Sequence, residues 1–129
     1  MTLSKFVDHT LGTKVDFDGV YGAQCVDLFR QYCKDVWQIP HTGSVEGAKE
    51  LFSQNDKNLL YITNGYGTVK SGDVIIWDGT SSNSYGHVAI ALFATDMTVL
   101  VLEQNGFEQT GTKIVPRNYI NCLGYIRKK

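Results

Sequence analysis

The sequence predicts an α+β domain, with N-terminal helices packed on an antiparallel sheet of five to six strands. Three observations carry this reading. Apolar residues recur at three- and four-residue spacing through residues 25–37, the period of a helix with one buried face. From residue 59 the period changes to two and β-branched residues accumulate, the pattern of strands. The helical segments all precede the strands, which favours α+β over alternating α/β order.

The elements follow in order. Residues 2–11 form a short helix with Thr2 or Ser4 as its cap. Residues 12–24 are rich in Gly and Asp and form a loop. In the helix of residues 25–37, Val26, Phe29, Tyr32, Cys33, Val36 and Trp37 face inward, and Pro40 ends it. A third helix covers residues 44–53, capped by Ser44, with Leu51 and Phe52 packing inward. Strands are expected at residues 59–63, 73–77, 87–95, 98–104, 113–115 and 123–127. Residues 81–86 form a polar loop.

The 129 residues make one domain, 1–129, long enough to bury roughly two-thirds of its unfolded surface without a disulfide or metal. A net charge of −1 gives no electrostatic case for nucleic acid or an anionic membrane as partner. The basic run Arg127-Lys128-Lys129 reads as a solvated tail. Residues 1–20 contain Asp8, Asp16 and Asp18 and have no signal-peptide core. No apolar run is long enough to span a bilayer, so the chain is expected in the cytoplasm of the cell that makes it. Cys25, Cys33 and Cys122 are an odd set without CxxC spacing, against a disulfide framework or structural zinc. Cys33 and Cys122 are expected as small buried hydrophobes, with a bridge between them left open.

Cys25 opens the second helix. A thiol there sees unpaired backbone N–H groups and the positive end of the helix dipole, both of which favour thiolate. The same N–H groups suit an oxyanion hole, to which the Gln24 side chain adds a donor or from which it turns to solvent. A lone thiol is more often packing, so the case needs a base. His87 opens the apolar strand Val88-Ala89-Ile90-Ala91-Leu92, and a His at a sheet rim suits that role or a capping one. Glu103 interrupts Val99-Leu100-Val101-Leu102, a run that looks buried on both faces, and a buried acid needs a partner. Period two puts Glu103 and Asn105 on one face, and either residue suits orientation of the His87 imidazole. Strands 87–95 and 98–105 should form a hairpin. A two-residue loop at Asp96-Met97 would put His87 and Asn105 on opposite faces, so an odd loop or a bulge is predicted.

Asp16, Asp18 and Asp27 stand at positions 1, 3 and 12 of a stretch leading into the Cys25 helix. This is the acidic spacing of a twelve-residue calcium loop. Carbonyls of Val20 and Gly22 are candidate further ligands. Tyr21 stands where an EF-hand has glycine, so the loop is EF-hand-like at most; an Asx-rich turn is the simpler alternative.

Four stretches resemble the boxes of the CHAP (cysteine, histidine-dependent amidohydrolase/peptidase) family. They are Tyr21-Gly22-Ala23-Gln24-Cys25-Val26-Asp27-Leu28, Ser71-Gly72-Asp73-Val74-Ile75-Ile76-Trp77, Tyr85-Gly86-His87-Val88-Ala89 and Glu103-Gln104-Asn105. Each is weak alone, but they occur in the family's order over about residues 14–106. The resemblance is greatest to bacteriophage endolysin domains. It implies a papain-like fold related to NlpC/P60, with Cys25, His87, Glu103 and Asn105 as the active-site set and Gln24 at the oxyanion hole. It implies cleavage of a peptidoglycan amide, by an amidase or an endopeptidase. It also implies a structural Ca2+ held by side chains matching Asp16, Asp18 and Asp27. Tyr85, in a polar loop beside His87, is the best candidate for the substrate groove. On this reading the chain is a monomer with no separate wall-binding domain, acting alone or within a larger lysin or virion assembly. It would reach the wall after holin release or from outside. The alternatives are an autolysin or small-molecule amidase of bacterial origin, and a wall-binding module without activity.

Overall fold

The computed structural model describes residues 1–19, 24–40, 45–63, 68–105 and 110–129. Helix α1 spans Leu3–Thr10, capped by Thr2, whose side chain accepts from the Lys5 N–H at 3.2 Å. Helix α2 (Cys25–Tyr32) starts at the expected residue but is shorter than 25–37. Cys33–Trp37 continues it as a wider π-helical turn, which Gln38 ends at φ 55°. Pro40, two residues on, has no N–H and pushes Ile39 away from helical geometry. The expected third helix, 44–53, is instead a 3₁₀ turn, Ala48–Ser53. Ser44, its expected cap, lies outside the described residues. Leu51 is fully buried, and the half-buried Phe52 packs edge-on against Tyr61 at 5.8 Å.

Six strands form one antiparallel sheet: β1 (Leu59–Ile62), β2 (Val74–Trp77), β3 (His87–Ala94), β4 (Thr98–Asn105), β5 (Thr110–Asn118) and β6 (Cys122–Lys128). Their order is β1-β6-β2-β3-β4-β5. The helices cover one face, where Leu28, Phe29, Tyr32 and Leu51 pack on Val74, Ile76, Val88, Ile90, Leu102 and Ile126. A second cluster, with Ile75, Trp77, Ala89, Ala91, Val99 and Val101, fills the other side. The central strands are therefore buried on both faces, which is why they read as continuous apolar runs.

β5 runs well past the expected 113–115. Pro116 sits opposite Leu100 and is tolerated because β5 is the last strand of the sheet, with β4 as its one neighbouring strand among the described residues. The β3–β4 hairpin has the tight loop, Asp96-Met97, closed by the Thr95 N–H on the Thr98 carbonyl at 2.8 Å. Ala94 then faces Val99 and Phe93 faces Leu100. Past Leu92 the register shifts, so Ala91 faces Val101 and Ile90 faces Leu102. Leu92 is thus the extra residue of a bulge. Carried to the sheet rim, the shifted register puts Ala89 opposite Glu103 and His87 opposite Asn105. Without the bulge, Glu103 would share a face with Ile90 and point away from His87.

The segment before His87 is pinned by two glycines. At Gly86, φ is +78°, and a Cβ there would stand 2.4 Å from the Trp77 carbonyl oxygen. At Gly47, a Cβ would come within 2.7 Å of the Tyr85 carbonyl oxygen. That carbonyl accepts from the Lys49 N–H at 3.0 Å, tying the 3₁₀ turn to the start of β3. Gly86→Ala should therefore cost about 2–4 kcal/mol of folding stability, from backbone strain and overlap together. Urea unfolding checks this; a loss within 0.5 kcal/mol of zero, roughly the range of a neutral surface change, would contradict it.

Candidate active site

The end of β4 builds most of the site. Glu103 and Gln104 are both fully buried, and as neighbours in a strand they point to opposite faces. Glu103 faces His87: His87 Nε2 lies 3.1 Å from Glu103 Oε1. The Glu103 side chain is wholly buried and that of His87 is 14% exposed. The carboxylate is also gripped by Arg117, whose Nε donates to Oε1 and whose Nη2 donates to Oε2 at 2.6 Å. This is the two-pronged guanidinium–carboxylate geometry, the strongest of the ordinary charged hydrogen bonds. Trp77, opposite His87 in the β2–β3 ladder, packs its ring 5.7 Å from the imidazole. The Arg117 guanidinium lies 5.9 Å from the same indole.

Gln104 faces the other way, toward the loop that delivers Cys25. Its amide nitrogen donates to the carbonyls of Val15 at 2.7 Å and Gln24 at 2.8 Å. Its oxygen accepts from the Val15 N–H at 2.7 Å and the Thr112 hydroxyl at 3.3 Å. Cys25 is the first residue of α2 and Gln24 is its N-cap. The Gln24 N–H in turn donates to Asp27 Oδ2 at 2.9 Å.

The electrostatics follow from these contacts. Burial alone would lower the pKa of His87. The Cys25 thiol and the Glu103 carboxylate beside it outweigh that and hold it at about 9. With Nε2 taken by Glu103, the nitrogen left for the thiol is Nδ1. Burial alone would raise the pKa of Glu103, but the Arg117 and His87 hydrogen bonds pull it down to about 2. His87 thus stabilises the fold fully below its ordinary 6.5, and that contribution is lost as pH rises through about 9. Glu103 contributes above its ordinary 4.5, and its contribution is lost as pH falls toward about 2.

Cys25 and His87 lie on the wall of a groove of about 1200 Å³, with Gln24, Trp77, Tyr85 and Arg117 beside them. Tyr85 is half exposed there. Carboxylate oxygens of Asp16, Asp18 and Asp27 come within 4.8 Å of one another. Burial raises the pKa of Asp27, the Gln24 N–H pulls it back, and Asp18 and Asp16 push it up again, leaving it above the usual carboxylate value. Clustered hard oxygens that repel one another fit a calcium-sized cation. Arg30 places a cation beside the cluster, with Nη1 3.2 Å from Asp18 Oδ2. Val20, Gly22 and the Asn105 side chain lie outside what is described. Cys33 and Cys122 are free thiols, not a bridge. Burial pushes them up to about 12 and about 11 respectively, as inert packing thiols should be.

Sequence reasoning missed Arg117, Gln104 and the place of Trp77. Cutting β5 at residue 115 hid the shared face of Arg117 and Glu103. Gln104 had a visible signal: a polar residue on the opposite parity to Glu103, at the end of a largely apolar strand.

The model of a family described as CHAP domain matches residues 14–105. Endolysin PlyTW of Staphylococcus phage Twort is 32% identical over 108 residues, which are 78% of this chain and 22% of that protein. A D-alanyl-L-alanine endopeptidase of Streptococcus phage B30 is 30% identical over 95 residues, 69% of this chain and 21% of that protein. The chain therefore spans about a fifth of the length of these relatives. The crystal structure of the wild-type endolysin LysIME-EF1 matches with a TM-score of 0.78 at 25% identity, over 99% of this chain and 64% of that one. The crystal structure of Ly7917 matches with a TM-score of 0.74 at 20% identity, over 99% and 62%, a likeness of fold.

The contacts of His87 predict its titration. By NMR its ring should titrate at about 9 and move down in Glu103→Gln, which removes the anion beside it. An unchanged midpoint in that variant would contradict the Glu103 contact.

Proposed function

The chain belongs to the CHAP domain family, and on that footing we propose that it is the catalytic domain of a phage-type hydrolase that cuts a peptidoglycan amide in the Gram-positive cell wall through Cys25. One observation carries the reading: His87 shares a groove wall with Cys25 and hydrogen-bonds the buried, Arg117-clamped Glu103, and the thiol and the carboxylate together raise its pKa. The two phage relatives, one named an endolysin and the other an endopeptidase, support the substrate class. The endopeptidase name favours a cut within the stem or cross-bridge over one at the sugar–peptide junction.

The chemistry follows from the side chains. The Cys25 thiolate attacks the amide carbonyl carbon while His87 carries the proton. The oxyanion so formed is met by the Cys25 N–H and the Gln24 side chain. As the C–N bond breaks, His87 gives its proton to the leaving nitrogen, and an acyl-thioester remains on Cys25. Water then attacks the thioester, His87 takes its proton, and the acid leaves with the thiolate restored. Glu103 holds the imidazole plane and its charge, as the third member of such sets does. Asn105 remains the second candidate for this support, and Tyr85 is assigned to substrate contact. The protein would act at the wall, after holin release or from outside. No described helix is long and apolar enough to cross a membrane.

We further propose that Asp16, Asp18 and Asp27 hold a Ca2+ ion. When bound, it would offset two of the three carboxylate charges and fasten the loop to the helix that carries Cys25. Val20 and Gly22 remain proposed carbonyl ligands.

Mass spectrometry of fragments from purified peptidoglycan tests the reaction. A new stem or bridge amine is expected; a new amine on L-alanine would make it an amidase, and no new amine at all would overturn the hydrolase reading. The alkaline limb of activity should fall as pH rises through about 9, where His87 loses the proton the leaving amine needs. A profile flat to pH 11, well beyond that limb, would contradict His87 as the acid. Chelation should lower stability by about 2–4 kcal/mol, restored by excess calcium. Unchanged melting with no bound metal would remove the calcium site.

A further inference from the structure

Gln104 makes four hydrogen bonds, which use both donors and both lone pairs of its amide. It is completely buried, so none of the four is available to water. One of them falls on the peptide that joins Gln24 to Cys25. That peptide is trans, as all described peptides are, so its C=O and N–H point in opposite directions. Gln104 Nε2 draws the Gln24 carbonyl inward at 2.8 Å. The Asp27 N–H, of the first turn of α2, shares the same oxygen at 3.1 Å. With the carbonyl held on the protein side, the Cys25 N–H is turned the other way, and both Gln24 and Cys25 line the groove. As the first N–H of α2, it has no acceptor within its own helix.

We propose that Gln104 is a positioning residue that locks this peptide plane and so aims the oxyanion-hole N–H of Cys25. The proposal rests on the hydrolase reading above and names a device within it. Glu103 and Gln104 then divide the work: one fixes the base, the other the amide that receives the oxyanion. The Asp27 bond alone leaves the plane less constrained, because it comes from a first helical turn that can shift with its cap. Gln104 comes from the fully buried end of β4, and its other bonds grip Val15 and Thr112, so it is held apart from shifts of the helix cap.

Two reactions of one sulfur separate this role from general support. Amide hydrolysis passes through an oxyanion. Alkylation of Cys25 by iodoacetamide displaces iodide from carbon and forms none. Gln104→Met keeps length and bulk and removes every hydrogen bond. Its kcat on soluble peptidoglycan fragments should fall about a hundredfold, the cost of one lost oxyanion donor, with KM nearly unchanged. The rate of Cys25 alkylation, read by peptide mapping to separate Cys33 and Cys122, should stay within threefold of wild type, a spread of under 1 kcal/mol. Thr112→Val removes one of the four bonds and serves if the Met variant does not fold; it should show a smaller kcat loss with the same unchanged alkylation. Equal losses in both reactions, or kcat within threefold of wild type in both variants, would overturn the proposal. Cys25→Ala is run alongside: if it cleaves like wild type, the hydrolase reading itself fails, whatever Gln104 does.

Discussion

The site depends on how the last residues of β4 are buried. A carboxylate and a carboxamide, adjacent in sequence, are both taken fully out of water. Each would be costly there without partners, and each has enough of them to satisfy it. Glu103 has the Arg117 fork and the His87 imidazole; Gln104 has Val15, Gln24 and Thr112. Because neighbours in a strand face opposite ways, the two networks reach into different parts of the molecule. One reaches the strand that carries His87, the other the loop and helix that carry Cys25. The two side chains are thereby tied to one rigid piece of sheet rather than to two independent loops.

This arrangement needs the Leu92 bulge. The hairpin closes through the tightest loop, which on parity alone would send Glu103 to the helical side. One extra residue in β3 restores the shared face for the rest of the strand. Trp77 supplies the remaining constraint: its indole packs beside the imidazole and the guanidinium, so His87 is held by a ring contact as well as by charge. Gly86 keeps the backbone before His87 close against the Trp77 carbonyl. With Glu103 held as a carboxylate beside it, the protonated imidazole is the favoured form of His87 near neutral pH.

Much of this was legible in the sequence because the signals are local. The start of α2 at Cys25, five of the six strands within a few residues, and the need for an odd loop or a bulge came from period and parity. The Glu103–His87 partnership came from one acid in an apolar run. What escaped depends on tertiary context. Pro116 looks like a strand breaker until β5 is known to be an edge, and Arg117 is lost with it. The late 3₁₀ turn is tied to the Tyr85 carbonyl through the Lys49 N–H, a tertiary contact that no local propensity encodes. The role of Gln104 depends on Val15, Gln24 and Thr112, which only the folded chain brings to it.

The central claim is that Cys25 is the nucleophile and that the rest of the site serves it. The most direct measurement is the rate of amine release from purified peptidoglycan by wild type and by Cys25→Ala, side by side, with both proteins shown to be folded. The account predicts release by wild type and a loss of at least about a thousandfold in the variant. Release by Cys25→Ala at the wild-type rate would contradict it.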